Sequence, residues 1–147
     1  MKDLKTIILA AGKGTRMKSD VPKVLHTVCG KPIIQYVLDV AKAAASSETI
    51  IVLGHKIQAV REYLPADVVT VEQKKLLGTA DAVKSTYSHL KSFNGDLLIL
   101  CGDTPLLTKE TVRRLIKKHR GSKAVCTFLT GVVHDPQGYG RVLRDLS

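Results

Sequence analysis

The chain is predicted to fold as an α/β domain on an open, mostly parallel sheet. Short runs rich in Ile, Val and Leu alternate with segments whose apolar residues recur at helical spacing. The first run is apolar throughout, as a strand buried on both faces requires. Glycine or proline ends nearly every run, the usual punctuation between elements.

Thr6–Leu9 is the first strand and leads straight into a glycine loop running from Ala10 to about Lys31. Pro32 suits the first turn of a helix, where its missing N–H has no partner to lose. Ile34, Val37, Leu38 and Ala41 form that helix's apolar face. Thr49–Leu53 is the second strand, stopped by Gly54. Ile57, Val60 and Leu64 suit a short helix ended by Pro65, and Val68–Val71 is a third, β-branched strand. Thr79 has the hydroxyl of an N-cap for a helix with Ala80, Val83, Tyr87 and Leu90 on one face. Asn94-Gly95 is a turn, and Asp96–Cys101 is a fourth strand ending at Gly102-Asp103. Thr108 caps a helix with Val112, Leu115 and Ile116 inward, and Ala124–Leu129 is the fifth strand. Arg141–Ser147 has strand-like composition and nothing to pair with, so the chain is expected to stop inside its domain; an edge strand pairing in an oligomer is the alternative.

At 147 residues the chain is one domain at most, and 44% hydrophobic with 24% charged residues is ordinary for a soluble protein. No run of about 18 apolar residues suggests a membrane span, and Met1–Lys5 lacks the features of a secretory signal. Cys29, Cys101 and Cys126 are far apart, with no Cys-x-x-Cys pair, so reduced thiols and a cytoplasmic location are expected rather than zinc or disulfides. No histidine or asparagine can be matched to Cys101, which is read as a core thiol. The net charge of +10 favours an anionic partner. Much of it lies in the first 31 residues and in Lys109–Lys123, the latter read as a solvated helix face. With 4% aromatic residues and no nucleic-acid module, nucleic-acid binding is not expected.

Ligands of open α/β sheets sit beyond the carboxyl ends of the strands. Three polar segments fall there: Ala10–Arg16, Gln73–Thr79 and Gly102-Asp103. Gly12 and Gly14 let backbone N–H groups approach an anion, with Lys13, Arg16 and Lys23 as cations nearby. The Walker signature is absent, and the second strand ends in Leu53-Gly54 rather than the acid of a dinucleotide site. The plain alternative is a tight βα turn with two incidental cations. Asp103 suits one or two ligand positions on Mg²⁺, or simply a turn before Thr104-Pro105. Gly78-Thr79 offers N–H and hydroxyl groups to a ligand or a bare N-cap, and Gln73 reads a base edge or sits in a surface loop.

Leu9-Ala-Ala-Gly-Lys-Gly-Thr-Arg-Met17 with Pro22-Lys-Val-Leu-His26 resembles the signature of nucleoside-diphosphate-sugar pyrophosphorylases. More closely, the chain resembles the N-terminal uridylyltransferase domain of bacterial bifunctional N-acetylglucosamine-1-phosphate uridylyltransferase/glucosamine-1-phosphate acetyltransferases. Gln73 with Leu77-Gly-Thr79, Gly102-Asp-Thr-Pro105 and Asp135-Pro-Gln-Gly-Tyr-Gly-Arg141 agree with that family. The resemblance implies a Rossmann-like open sheet of the nucleoside-diphosphate-sugar transferase type. It implies transfer of UMP from UTP to N-acetylglucosamine 1-phosphate, releasing pyrophosphate, for cell-wall amino-sugar nucleotide synthesis in the cytoplasm. Other sugar- or alcohol-phosphate nucleotidyltransferases, or a non-catalytic nucleotide-binding module, are the alternatives.

By position, the resemblance implies that Leu9, Ala10, Ala11 and Gly12 line the uridine site. Gly14, Thr15 and Arg16 would hold the leaving pyrophosphate, Lys23 would bridge phosphates, and Gln73, Gly78 and Thr79 would recognise uracil and ribose. Asp103, beside Gly102 in the substrate site, would bind Mg²⁺, and Gly140 would contact the amino sugar through its backbone. Arg16, Lys23 and Asp103 would carry the chemistry. The nucleotide part is expected over about residues 1–110 and the start of the sugar part over about 111–147. Cys101 stands where some relatives have tyrosine. The family's domain continues further, with a glutamate and two asparagines, one of them a second magnesium ligand. A β-helix acetyltransferase domain, through which the full-length proteins form trimers, is absent from this stretch.

Overall fold

The first apolar run becomes β1 (Leu4–Ala10), the strand from which the sheet grows in both directions. The computed structural model describes residues 2–144. After β1 come the two-residue strands β2 (Thr27–Val28) and β3 (Lys31–Pro32), then α1 (Ile33–Ala43), β4 (Glu48–Leu53) and α2 (Ile57–Tyr63). They are followed by β5 (Val69–Glu72), α3 (Thr79–Lys84), α4 (Tyr87–Leu90), β6 (Asp96–Cys101) and α5 (Lys109–Arg120). The main sheet has the order β5-β4-β1-β6 and every pair is parallel. The predicted open, parallel α/β fold is therefore the observed one. Strand order reverses between β1 and β6, the place where such sheets leave a crevice. Ala10 pairs with Leu53 and Leu9 with Cys101, so the carboxyl ends lie level and their loops share one edge.

Alternation along β1 feeds two cores. Ile8 and Ala10 pack with Ile51, Leu53, Leu98 and Leu100 against the apolar face of α1. Ile7 and Ala11 join Val52 and Ala82 on the other side. Ile7, Ile8, Ile50 and Ile51 are wholly buried, each contributing about 1.5–3 kcal/mol of apolar transfer. The predicted face of α1 is as expected, with Ile34, Val37, Leu38 and Ala41 buried. Thr108 caps α5 by accepting from the Thr111 N–H at 3.1 Å. Among the described residues, no helix is long and apolar enough to cross a membrane.

Four local expectations change. Pro32 sits just before α1 rather than in its first turn, in extended conformation at φ −56° and ψ 141°. The stretch expected to be loop up to Lys31 contains an antiparallel hairpin, β2 with β3. Cys29 and Gly30 turn it at φ 49° and 76°, as a primed two-residue turn demands. The expected helix after Gly78 is broken into α3 and α4, with Gly78 rather than Thr79 at the cap. The Ser85 and Thr86 hydroxyls donate back to the carbonyls of Ala82 and Val83 at 2.6 and 2.7 Å. Such bonds compete with helix continuation, and the break leaves Ala80 and Tyr87 exposed while Ala82 is buried.

The fourth change is the largest: Ala124–Leu129 is not a strand. Val125 is fully exposed and Phe128 is 63% exposed. Strand preference in these residues is a preference for packing on a half-buried surface. The face of β6 that would continue such a surface is open, with Leu97 and Ile99 exposed. Without burial there, nothing offsets the roughly 1–2 kcal/mol per residue of backbone ordering. Of the strand-like end at 141–147, residues 141–144 are not strand, and 145–147 lie outside the described residues.

Candidate active site

The carboxyl edge of β1, β5 and β6 encloses a cavity of about 540 Å³. Leu9, Ala10, Ala11, Gly12 and Lys13 form one wall, and Lys23 and Val24 rise beside them. Gln73, Leu76, Gly78, Thr79 and Ala82 form the opposite wall, with Cys101 and Asp103 between the two. All three segments singled out in the sequence therefore reach one space. A position at the strand-order reversal is where the fold predicts a ligand.

The glycine loop is shaped from below. Gly14 stands at φ 62°, and a Cβ there would lie 2.7 Å from the Lys23 Cβ. Gly14 thus meets two demands at once, a left-handed turn and close passage of the next segment. Its carbonyl accepts from the Met17 N–H at 2.8 Å, closing a single 3₁₀ turn over Thr15–Met17. A second 3₁₀ turn, Lys23–Leu25, follows buried Pro22, whose carbonyl accepts from the Leu25 N–H at 2.9 Å. Around Gly12, by contrast, the space is open within 4 Å.

On the other side of the crevice, the Gly102 N–H donates to the Leu9 carbonyl at 2.8 Å, carrying the β1–β6 pairing one residue past β6. A Cβ on Gly102 would meet that same oxygen at 2.9 Å. This approach sets Asp103 opposite Lys23, and the Lys23 Nζ donates to Asp103 Oδ2 at 2.6 Å. Their side chains are 32% and 38% exposed, so the pair is worth about 1 kcal/mol or less. A phosphate and a cation entering together can separate it at small cost.

Gln73 follows β5 directly, its N–H donating to the Leu53 carbonyl at 2.7 Å. It is buried rather than in a surface loop. Gly54 provides clearance as well as stopping β4: a Cβ there would lie 2.7 Å from both the Ala11 carbonyl and Leu76. Lys56, at φ 50°, bonds the Asp20 carbonyl and also Asp20 Oδ1 at 3.1 Å, tying the long loop to the segment after β4.

Cys101 is not a core thiol: it lines the cavity and is exposed. Partial burial against the sheet raises its pKa, Asp103 adds to the rise, and Lys23 opposes it. Less thiolate forms at neutral pH. Alkylation of Cys101 is expected to keep accelerating with pH beyond the region around 8.5, where an ordinary cysteine levels off. Site-resolved mass spectrometry across pH 7–10 measures this.

Of the site residues expected from sequence, Leu9, Ala10, Ala11, Gly12, Lys23, Gln73, Gly78, Thr79 and Asp103 line the cavity. Gly14 and Gly102 shape it without lining it. Thr15 and Arg16 are exposed on the 3₁₀ turn outside the lining, and Gly140 is exposed in the irregular segment after α5. Lys13, Val24, Leu76, Ala82 and Cys101 were not expected as lining. Lys13 was legible as a cation inside the glycine loop and Cys101 as a thiol beside Gly102-Asp103; apolar Val24, Leu76 and Ala82 carried no chemical signal. Among the described residues no group of three or more His, Cys, Asp or Glu side chains could hold a metal. A metal here would take one carboxylate, Asp103, and draw its other ligands from phosphate and water. That donor set fits Mg²⁺, which keeps several waters and favours phosphate oxygens.

A parallel sheet with a basic glycine loop and a facing carboxylate at its reversal point suits a nucleotidyltransferase. The chain belongs to the MobA-like NTP transferase domain family, whose model matches residues 6–146. It is 47% identical over 142 residues to the bifunctional protein GlmU of Alkaliphilus metalliredigens, covering 97% of this chain. It is 44% identical over 143 residues to that of Clostridioides difficile, also covering 97% of this chain. In both cases the chain spans 31% of the relative's length. Among solved structures, Rv0371c of Mycobacterium tuberculosis superposes with a TM-score of 0.68 at 26% identity, covering 83% of this chain and 63% of that one. Rv0371c has also been solved in complex with manganese.

Proposed function

We propose that this domain carries the nucleotide half of a uridylyltransferase, which transfers UMP from UTP to N-acetylglucosamine 1-phosphate and releases pyrophosphate. The observation that carries the reading is the Lys23–Asp103 pair at 2.6 Å across the reversal point of the sheet. It joins a cation and a hard oxygen donor in one pair on the cavity wall, which a triphosphate entering with a divalent cation would separate. The loop signature and the identity to GlmU proteins support uridine and an amino-sugar phosphate as substrates.

In this reading the Leu9–Gly12 backbone and the Gln73–Thr79 wall hold the nucleoside. Lys13 and Lys23 take the phosphate charge, Lys23 leaving Asp103 as it does so, and Arg16 approaches the pyrophosphate from the 3₁₀ turn. Asp103 would hold Mg²⁺, which when bound neutralises charge developing on the phosphate oxygens. The sugar phosphate oxygen attacks the α-phosphorus in line, and pyrophosphate departs toward the Gly14–Arg16 turn. The protein's part is positioning and charge stabilisation. Residues of about 1–110 form the nucleotide part, and about 111–147 begin the sugar part through Gly140. The domain would work in the cytoplasm, within a longer protein able to form trimers.

Pyrophosphate release tests the reading, using a chain extended past Ser147 with the segment that follows in a curated relative. N-acetylglucosamine 1-phosphate should exceed glucose and mannose 1-phosphates, and UTP should exceed CTP and GTP. No preference for the N-acetyl sugar would remove the specific assignment. The 147-residue chain alone is expected to bind UTP and to turn over very slowly.

A further inference from the structure

Gln73 is 5% exposed, yet it lines the cavity. Its amide nitrogen donates to the Gly78 carbonyl at 3.1 Å and to Asp81 Oδ2 at 2.8 Å. A backbone carbonyl and a carboxylate are both acceptors only, so the end of the amide facing them must be the NH₂. A flipped amide would place three oxygens against one another. Both amide hydrogens are thus committed within the protein.

The carbonyl end is in the opposite situation. Among the described residues no donor reaches Gln73 Oε1. Nor is that oxygen one of the fully sealed, unbonded side-chain atoms among the described residues. Gln73 lines the cavity with its NH₂ end turned to Gly78 and Asp81, which leaves the carbonyl end to face the cavity. The cavity wall therefore presents an acceptor and no amide donor at this point.

We propose that Asp81 is a positioning residue for base selection: by holding both the Gln73 amide and, through it, the Gly78 carbonyl, it makes the site demand a ring N–H. The inference rests on the uridylyl reading and deepens it. Uracil carries a hydrogen on N3 and satisfies Gln73 Oε1. Cytosine carries a lone pair on N3, which would face the oxygen unpaired, at the cost of a hydrogen bond and a desolvated acceptor. Asp81 touches Gln73 rather than the base. Asp81 is the third residue of α3, whose N-cap is Gly78 at φ 106°.

Calorimetric titration of the 147-residue chain with UTP and CTP, in magnesium, tests this for the wild type, Asp81→Ala and Asp81→Asn. The wild type should bind UTP at least about tenfold tighter than CTP, the worth of one lost hydrogen bond. Asp81→Ala frees an amide hydrogen, and the UTP/CTP ratio should fall by about fivefold or more through a gain for CTP. Asp81→Asn keeps the volume and one acceptor while losing enforcement of the orientation, so its ratio should fall between the two. A merely structural role would weaken both nucleotides alike and leave the ratio intact. An unchanged ratio in both variants, with the wild type still preferring UTP, would overturn this inference alone. Wild-type binding to neither nucleotide would overturn the uridylyl reading together with it.

Discussion

Asp103→Ala is expected to abolish the dependence of UTP affinity on magnesium while leaving metal-free UTP binding in place. Asp103 is the carboxylate that lines the cavity wall next to Lys23. Removing it takes away the protein's oxygen donor to the cation but none of the backbone or lysine contacts to phosphate. In the extended chain, turnover should drop by about 10²–10³-fold, the scale of losing one preorganised stabiliser of transition-state charge. Loss of the exposed ion pair costs the fold about 1 kcal/mol or less, so melting should move by only a few degrees. Titration with and without magnesium, paired with a melting curve, separates the site effect from unfolding. Unchanged magnesium dependence would remove Asp103 from the site.

Gly14→Ala should be damaging for a different reason. The left-handed conformation at φ 62° is paid for by about 1–2 kcal/mol once a Cβ is present. The new atom would also stand 2.7 Å from the Lys23 Cβ, with its neighbouring atoms close behind. Lys23 would have to withdraw from the crevice. Both stability and UTP affinity are expected to fall, affinity by about tenfold or more as a charged contact is lost. Gly12→Ala is the informative contrast. No neighbour lies within 4 Å, so the fold should tolerate it, and any loss should appear in phosphate binding alone. Equal melting temperatures for Gly14→Ala and wild type would contradict the steric account.

Most of the sheet was legible because its strands are long apolar runs ending at glycine. Glu48–Leu53 and Asp96–Cys101 declare themselves by composition. What escaped was set by partners distant in sequence. The hairpin at Thr27–Pro32 has strands of two residues, too short for any period to show. The break at Ser85-Thr86 depends on hydroxyls turning back to their own helix, and composition alone does not reveal that choice. The Ala124–Leu129 run reads as a strand, yet it joins no strand and is tied to α5 instead, with His119 Nδ1 3.0 Å from Thr127 Oγ1.

The site divides in the same way. Lys23, Asp103 and Gln73 are chemically conspicuous; Asp103 and Gln73 fall at strand ends, where the fold brings ligands, and Lys23 lies in the long loop after β1. Gly14 and Gly102 were read as substrate-site residues and Gly54 as a strand stop. Their work as clearance for Lys23, for Ala11 and Leu76, and for Leu9 becomes visible only when the backbones are placed. Cys101 was read as a core thiol for want of a catalytic partner, but it shares the uncovered face of edge strand β6 with Leu97 and Ile99.

That thiol offers the most direct measurement of the central claim. Cys101 shares the cavity with Lys23 and Asp103, whereas neither Cys29 nor Cys126 lines it. Alkylation of the 147-residue chain, resolved by site, should slow at Cys101 as UTP and magnesium are added. Cys29 and Cys126 should continue at their original rates, and Asp103→Ala should remove the magnesium-dependent part of the protection. Saturating UTP with magnesium that leaves Cys101 as reactive as before would contradict a nucleotide site between the glycine loop and Asp103.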